Sequence, residues 1–581
     1  MFLAGLALGQ DVRLSNDQGA AGYVSAYTIA TGQPYTDAVL SECSMARGRQ
    51  NEPAVAVDPR NTSVLIGSSN DYCGVYAGST AANFMAIGPI WLGYYRSENG
   101  GASFTSSLVP GYPGDTSPYA ALARIRTASS GDPVIAWDSH GRVFMGSESS
   151  DDPAGSKKTF GDVWVATFDN PNGANGATVN DGKRFVGSVI VAKGSSAPNL
   201  LGKFHDKTAI EADRTGGACD GNVYFAWARF AGAAGDVSIY LARSTDHGAT
   251  WSQPAKLTPS VAGVQDPDIS VAGNGHVYVT YREFSSANGQ PDAVGYVKST
   301  DCGKTFGPPK VAATFIPYEP EDRLLSGGSA GDCGDFASAC QSGFTFFRSG
   351  TTPRSTADQY EASEFVYIVY EASKPGSIQR TGNTFGTVGS GVGSQAGTYF
   401  VRLNGAAGTA TQPLLIDDQQ LGHQVFPDVS ADGGILHVIW WDSRYDSSYS
   451  PIRPIGNTAS GMVHDALDVF GTRSPDQGTT WAPPARVSSR STNPNYEQFS
   501  DRVVPFAGDY LWVTSLGAFA YVAWTDWRDT VKGVDPREPA AENDGADVLQ
   551  CRNPLPGGGF SGDQCPRAGG LDQNIYANFA P

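Results

Sequence analysis

One turn, written four times, limits what this chain can fold into. Arg243-Ser244-Thr245-Asp246-His247-Gly248-Ala249-Thr250-Trp251 reads as a strand end, a tight turn and the start of a returning strand. Asp246 can fold its carboxylate onto backbone N–H groups two residues on. Gly248 supplies the positive φ such a turn needs, and Trp251 returns into the layer beneath. A single copy is only a hairpin. The pattern recurs from Ser299 to Phe306 around Asp301, from Ser474 to Trp481 around Asp476, and from Ser97 to Phe104, where Asn99 takes the place of the aspartate.

The repeat extends upstream of its turns, as a true repeat should. Before the turn at Asp301 come Gln265–Val271, then Gly275, then His276–Glu283, a loop, and Ala293–Lys298. That is strand, turn, strand, loop, strand, turn, strand, a unit of about 45–50 residues matching one blade of a β-propeller. Similar units start at Asn51, Gly131, His205, Gln265, Val425 and Gly508. A degenerate one, with its inner strand read at Gly343–Phe346 and its second at Phe365–Tyr370, makes seven. The seventh stops after its third strand, near Asn574–Phe579, where the sequence ends. Val12-Arg13-Leu14-Ser15 has the pattern of the outer strands Ala255–Thr258 and Ala485–Ser488. It can close the ring and leave no edge open to self-association. The expectation is an all-β, seven-bladed propeller of four-stranded antiparallel blades occupying 1–581, with an N-terminal segment (1–20), a linker (21–50) and blades (51–581).

The motif Ser-x-Asp-x-Gly-x-Thr-Trp resembles the Asp-box, or BNR repeat, of sialidases and other sugar-handling propellers. In that family the box is a structural element away from the active site, so Asn99, Asp246, Asp301 and Asp476 are read as structural. The resemblance implies a glycan-related function. Sialidases have six blades and usually carry an Arg-Ile-Pro motif near the start; this sequence has neither feature.

Composition narrows the classes. Gly 71 and Pro 36 suit many short strands joined by tight turns. A net charge of -18 leaves no basic stripe for nucleic acid, and no segment approaches a transmembrane span. Met1–Gly9 reads either as a clipped signal-peptide core or as an apolar strand. Eight cysteines without a Cys-x-x-Cys favour an oxidising, secreted or extracytoplasmic setting over zinc or redox chemistry.

In a propeller the loops from outer to next inner strand and from second to third strand share one face. The long insertions here, 72–89, 105–130, 316–342, 446–464 and 530–572, fall on it. Such a loop-rich rim is the expected ligand face. Cysteines sort in the same way: Cys43 with Cys73, Cys333 with Cys340 and Cys551 with Cys565 on the loop-rich face, and Cys219 with Cys302 on the opposite one. Each bond restrains the unfolded chain by roughly 2–4 kcal/mol.

Glu52, Asp132, Asp206, Asp266 and Asp509 align at the starts of inner strands, around the channel mouth. Like charges confined there raise some of each other's pKa values unless cations or donors intervene. They read as turn caps, as acid/base groups, or as oxygen ligands for Ca²⁺; no cofactor is otherwise required. Second strands end on the same face with Tyr281-Arg282-Glu283, Tyr370-Glu371, Trp441-Asp442-Ser443-Arg444 and Trp524-Thr525-Asp526-Trp527-Arg528. Asp-x-Arg reads either as an inter-blade ion-pair system or as recognition, with Trp441 and Trp527 stacking on sugars and Arg282, Arg444 and Arg528 holding a sugar carboxylate. Resemblance to sialidases implies three such arginines, a tyrosine nucleophile with a helping carboxylate, and an aspartate acid/base. The positions that offer those roles here are Tyr510, Glu371, Asp266 and Asp509. Seven histidines, His423, His437 and His464 among them, show no metal-ligand spacing. Asp58 and Asp138 look like turn formers.

Two functions remain: a secreted propeller that recognises a glycan or cell-surface partner through its loop-rich face, or a glycoside hydrolase of exo-sialidase type on acidic or complex glycans. A fold alone does not choose between them.

Overall fold

The computed structural model describes residues 10–17, 22–44, 49–75, 77, 89–126, 128–150, 161–195, 202–231, 236–285, 291–318, 321–322, 328–329, 352–376, 395–449, 455–456, 464–494, 508–529 and 573–581. Seven antiparallel sheets surround one axis, a propeller of seven blades. Blade 1 runs through Gln50–Asp58, Asn61–Asp71, Trp91–Ser97 and Thr105–Leu108, from the axis outward. Blade 2 comprises Ser129–Trp137, Val143–Ser150, Val163–Asp169 and Arg184–Ala192, with Ala123–Arg124 added in parallel on its outer edge. Blades 3 and 4 begin at Lys203–Ala212 and Val264–Val271, and blades 6 and 7 at Gln424–Asp432 and Trp512–Leu516.

Blade 5 departs from expectation. Its inner strand is Arg354–Thr356, paired with Phe365–Ser373; the segment 343–346 assigned to that role lies outside the described residues. The expected insertion at 105–130 begins instead with the outer strand Thr105–Leu108. The expected linker 21–50 carries two short helices, α1 (Ala26–Thr31) and α2 (Ala38–Cys43), capped by the Ser25 hydroxyl and the Asp37 carboxylate. Helix α2 ends in a disulfide from Cys43 to Cys73 of blade 1. The second expected bond, Cys219–Cys302, joins blades 3 and 4. Cys333, Cys340, Cys551, Cys565 and Met1–Gly9 lie outside the described residues. No helix among the described residues is long and apolar enough to cross a membrane.

Ring closure follows the predicted pattern. Val12–Arg13 pairs antiparallel with Asn574–Phe579 as the fourth strand of blade 7. The Leu14 N–H donates to the Ile575 carbonyl at 2.9 Å, and the Ser15 hydroxyl accepts the Ile575 N–H at 3.3 Å. Leu257 with Thr258 in blade 3, and Val487 with Ser488 in blade 6, make the same pair of bonds to Ile239 and Val469. An apolar residue followed by Ser or Thr thus docks each of these outer strands, and Leu14 is wholly buried there.

The four repeated turns share one network. Ser244 Oγ accepts the Gly248 N–H at 2.8 Å, while Asp246 Oδ1 accepts the Thr250 N–H at 2.8 Å, four residues on rather than two. Asp301 and Asp476 repeat this with Thr305 and Thr480, and Asn99 Oδ1 with Ser103. In three of the turns the residue before glycine is also left-handed: His247 (φ 57°), Cys302 (58°) and Gln477 (59°).

Candidate functional site

The loop-side mouth is shaped by a bulge repeated at the start of the inner strands. Ladder register shifts after Asn51, Gly131, Asp206, Gln265 and Val425. Each bulge holds a non-glycine residue in the left-handed region: Glu52 (φ 55°), Asp132 (52°), Lys207 (54°), Asp266 (55°) and Phe426 (53°). In four of the five, proline follows, at 53, 133, 267 and 427. Such backbone costs of order 1–3 kcal/mol at each position and survives only where surroundings over-determine it. The bulge turns Asp132, Lys207 and Asp266 toward the mouth of the channel, whereas Phe426 packs in the core between blades 6 and 7.

This corrects one alignment. In blade 3 the bulge residue is Lys207, so Asp206 is displaced by one position from Glu52, Asp132 and Asp266. Blade 3 lacks the proline of the other bulges, and matching acid to acid concealed the shift. The consequence is chemical: a cation enters the ring of acids. Lys207 Nζ pairs with Asp509 of blade 7. Glu52 Oε2 accepts the Asn70 amide at 2.7 Å, and Asn70 Oδ1 accepts the Asp132 N–H at 2.7 Å. Burial, the charges of Asp132 and Asp509, and a hydrogen bond to Asp132 hold the Glu52 pKa well above the carboxylate range. Burial raises Asp266 as well, with Lys207, Arg282 and Arg354 opposing.

Asp132, Lys207, Asp266, Thr352, Arg354, Asp509 and Tyr510 line a mouth pocket of about 20 Å³. Beneath it the inner strands of all seven blades enclose a cavity of about 110 Å³. Arg354 lines both. It is only 6% exposed, and its guanidinium lies 5.0 Å from the Tyr510 ring centroid and 5.1 Å from that of Trp512. No hydrogen bond or ion pair engages that guanidinium among the described residues. Two carboxyls share the channel with it: Asp268, raised to about 6, and Asp428, raised to about 7, both by burial with Arg354 opposing. Among the described residues Tyr510 Oη is buried without a hydrogen-bond partner, and burial with the Glu52 and Asp132 charges raises its pKa. Sequence reasoning missed Arg354 because the inner strand of blade 5 was placed too early.

The arginines nominated from sequence are engaged elsewhere. Arg282 Nη2 meets Asp292 Oδ2 at 2.7 Å. Arg444 pairs with Asp442 at 2.5 Å and with Asp417. Arg528 pairs with Asp526 at 2.6 Å and with Asp11 at 2.7 Å. Trp-x-Asp-x-Arg is one structural unit in blades 6 and 7. Asp442 Oδ2 accepts the Trp440 indole N–H at 2.8 Å and Oδ1 the Arg444 N–H at 2.8 Å; Asp526 does the same for Trp524 and Arg528. Each Asp-x-Arg pair closes at the end of its own strand, and the same arginines reach out of the strand to Asp417, on the connection from blade 5, and to Asp11. Trp441 and Trp527 are 2% and 0% exposed, packed in the core between blades 6 and 7, and offer no face to a sugar. Glu371, fully buried and raised to about 8 by burial, accepts the N–H of the bulge residue Phe426 and so fixes the joint between blades 5 and 6.

Asp206 lies with Asp132 and Glu148, their carboxylate oxygens within 4.8 Å of one another. Asp58 and Asp138 form turns as expected, accepting the Arg60 and His140 N–H groups at 2.9 and 2.8 Å.

No known protein family and no curated protein match the chain. Solved structures do. A Hadza microbial sialidase is 11% identical with a TM-score of 0.37, the match covering 68% of this chain and 63% of that one. A Dyadobacter fermentans protein of unknown function is 13% identical with a TM-score of 0.37, covering 80% of this chain and 99% of that one. A Penicillium chrysogenum alpha-L-arabinanase complexed with arabinobiose is 11% identical with a TM-score of 0.37, covering 75% of this chain and 94% of that one. The chain thus spans less than two thirds of the length of the sialidase.

Proposed function

We propose that this is an exported Asp-box propeller that recognises a hydroxyl-rich glycan or glycan-bearing surface partner at its loop-side mouth. One observation carries the reading. Strained bulges from several blades gather Glu52, Asp132, Lys207 and Asp266 at one end of the axis, beside Asp509, Tyr510 and Arg354. Alternating carboxyl, ammonium, guanidinium and phenol groups suit the paired donors and acceptors of sugar hydroxyls. The nominated carboxylate clamp is spent on internal ion pairs. The mouth pocket among the described residues is far below the several hundred Å³ of a ligand cavity. Both points favour recognition across a rim over hydrolysis in a deep pocket. Export is in keeping with the two disulfides. If a cation belongs to this site, the oxygen donors of Asp132, Glu148 and Asp206 suit Ca²⁺.

A glycan array on the full chain tests the proposal, with Asp266→Asn and Tyr510→Phe as variants. Binding that falls about tenfold or more in both supports it; undiminished binding in both overturns the site. A second reading, glycoside hydrolysis, is favoured by Glu52, whose pKa burial pushes up, standing beside the lysine-paired Asp509, an acid next to a base. It predicts turnover of chromogenic glycosides that Glu52→Gln abolishes. No turnover on any glycoside removes this reading and leaves the first intact.

A further inference from the structure

On the face opposite the mouth, the turns between first and second strands meet the repeated Ser-x-Asp turns of the next blade. At the joint between blades 3 and 4 this contact is covalent. Cys302, the left-handed residue of its turn, is bonded to Cys219 in the preceding blade's inner turn. At the joint between blades 2 and 3 the equivalent residue is His247, with almost the same backbone (φ 57° against 58°). It meets Asp138 and His140 in the inner turn of blade 2.

We propose that Asp138, His140 and His247 form a zinc site that clamps blade 2 to blade 3, the counterpart of the neighbouring disulfide. The donor set is two imidazoles and a carboxylate, common protein ligands for Zn²⁺. Their candidate ligand atoms lie within 4.8 Å of one another. Asp138 Oδ2 and His247 Nδ1 are 3.3 Å apart. A tetrahedral ion with bonds of about 2.0–2.1 Å separates its ligands by roughly 3.3–3.4 Å, so this edge is already set. Asp138 is fully buried, and its other oxygen takes the His140 and Arg142 N–H groups at 2.8 and 2.9 Å, which fixes the free oxygen's direction. The His140 and His247 side chains are 40% and 36% exposed, so an ion can enter from solvent. Asp220, beside Cys219, lies 3.9 Å from His140 Nδ1 and supplies either a fourth ligand or the orienting acceptor. Its carboxylate also accepts the Ser139 hydroxyl at 2.9 Å, bringing the two turns together before any ion arrives.

One group opposes the clamp: Arg142 Nη1 stands 3.3 Å from Asp138 Oδ2 and must swing away when the ion binds. Without metal, Asp138 and His247 stand 3.3 Å apart, and the Ser139 hydroxyl on the Asp220 carboxylate joins the two turns. Sequence spacing hid this group, since His140 and His247 belong to different blades.

Co²⁺ alone and Zn²⁺ alone, titrated into the chelator-stripped full chain at pH 7.5, test the proposal. Expected are visible Co²⁺ d–d absorption of tetrahedral intensity, its displacement by near-stoichiometric Zn²⁺, and a Zn²⁺-dependent rise in Tm. His247→Gln is the informative variant, because Gln477 occupies the same position in the blade 6 turn at φ 59° and the fold accepts it. That variant and His140→Ala should retain the circular dichroism spectrum while weakening the metal at least about 100-fold. A stripped wild-type chain with neither absorption nor a Tm response overturns the clamp. So does a response that His247→Gln leaves unchanged, since the metal would then lie elsewhere.

Discussion

At Asp246 one carboxylate oxygen takes the Thr250 N–H at 2.8 Å and the other its hydroxyl at 2.5 Å. At Asn99 the amide oxygen takes the Ser103 N–H at 3.0 Å, and the amide N–H donates to the Ser103 hydroxyl at 2.8 Å, reversing the second bond without altering the turn. The backbone acceptor is therefore what the turn requires, and the charge is secondary. Asp246→Asn should change stability by under ~0.5 kcal/mol, while Asp246→Ala, which leaves the exposed Thr250 N–H to water and removes the side chain that caps the turn, should cost about 0.5–2 kcal/mol in urea unfolding. Arg444 poses a sharper question of the same kind. With Asp442 buried at 1% side-chain exposure, Arg444→Ala leaves an uncompensated carboxylate inside the protein. We expect a loss of about 3–5 kcal/mol in stability with glycan binding at the mouth retained. Lost binding at unchanged stability would return Arg444 to the ligand.

Among elements, the closing strand carries the most consequence for its length. It offers two ladder residues, Val12 and Arg13, then Leu14 buried against blades 1 and 7. Leu14→Ala should cost about 2–5 kcal/mol. Removing residues 10–17 should also bare the strand Asn574–Phe579 and produce edge-paired dimers by size-exclusion chromatography; a monomer of unchanged Tm would refute the closure. This strand was legible in the sequence because docking needs a particular order, an apolar residue and then a hydroxyl, which three blades repeat. The repeated turns were legible for a similar reason: their chemistry is local. What the sequence concealed is relational. Asp206 and Lys207 differ by one residue, and only ladder register decides which of them occupies the bulge. Asp-x-Arg in a strand reads equally as a ligand fork or a private ion pair until the Asp oxygens are seen taking the tryptophan indole as well. Blade 5 lacks a repeated turn, so nothing local anchored its inner strand, and Arg354 was lost with it.

Across the whole molecule, packing seven sheets around an axis buries ionisable groups at the joints, and their titration couples stability to pH. Burial depresses His205 to about 4 and His423 to about 3, so both are neutral in the fold. Their unfolded counterparts gain protons below about pH 6.5, and acid destabilises the protein through them. Burial acts in the opposite sense on carboxyls, raising Asp428 to about 7 and Glu371 to about 8. These stay protonated in the fold after the unfolded chain has ionised, so their stabilising contribution is complete below about pH 4 and is lost as pH rises through the folded values. Between pH 6.5 and 8 the histidines no longer contribute and the carboxyls still do. Lys374, depressed to about 8 by burial, adds stability only above that value. Stability should therefore fall across this window, Asp428 and Glu371 alone contributing about 2 kcal/mol at roughly 1.4 kcal/mol per pKa unit and group, with Asp58, raised to about 8 by burial, acting in the same sense. A thermal melt at pH 6.5 should lie above one at pH 8, and Glu371→Gln, which retains an acceptor for the Phe426 N–H, should flatten the difference. A Tm that rises from pH 6.5 to 8 would mean that these carboxyls are ionised in the folded ring and that the joint between blades 5 and 6 carries a charge the burial argument forbids.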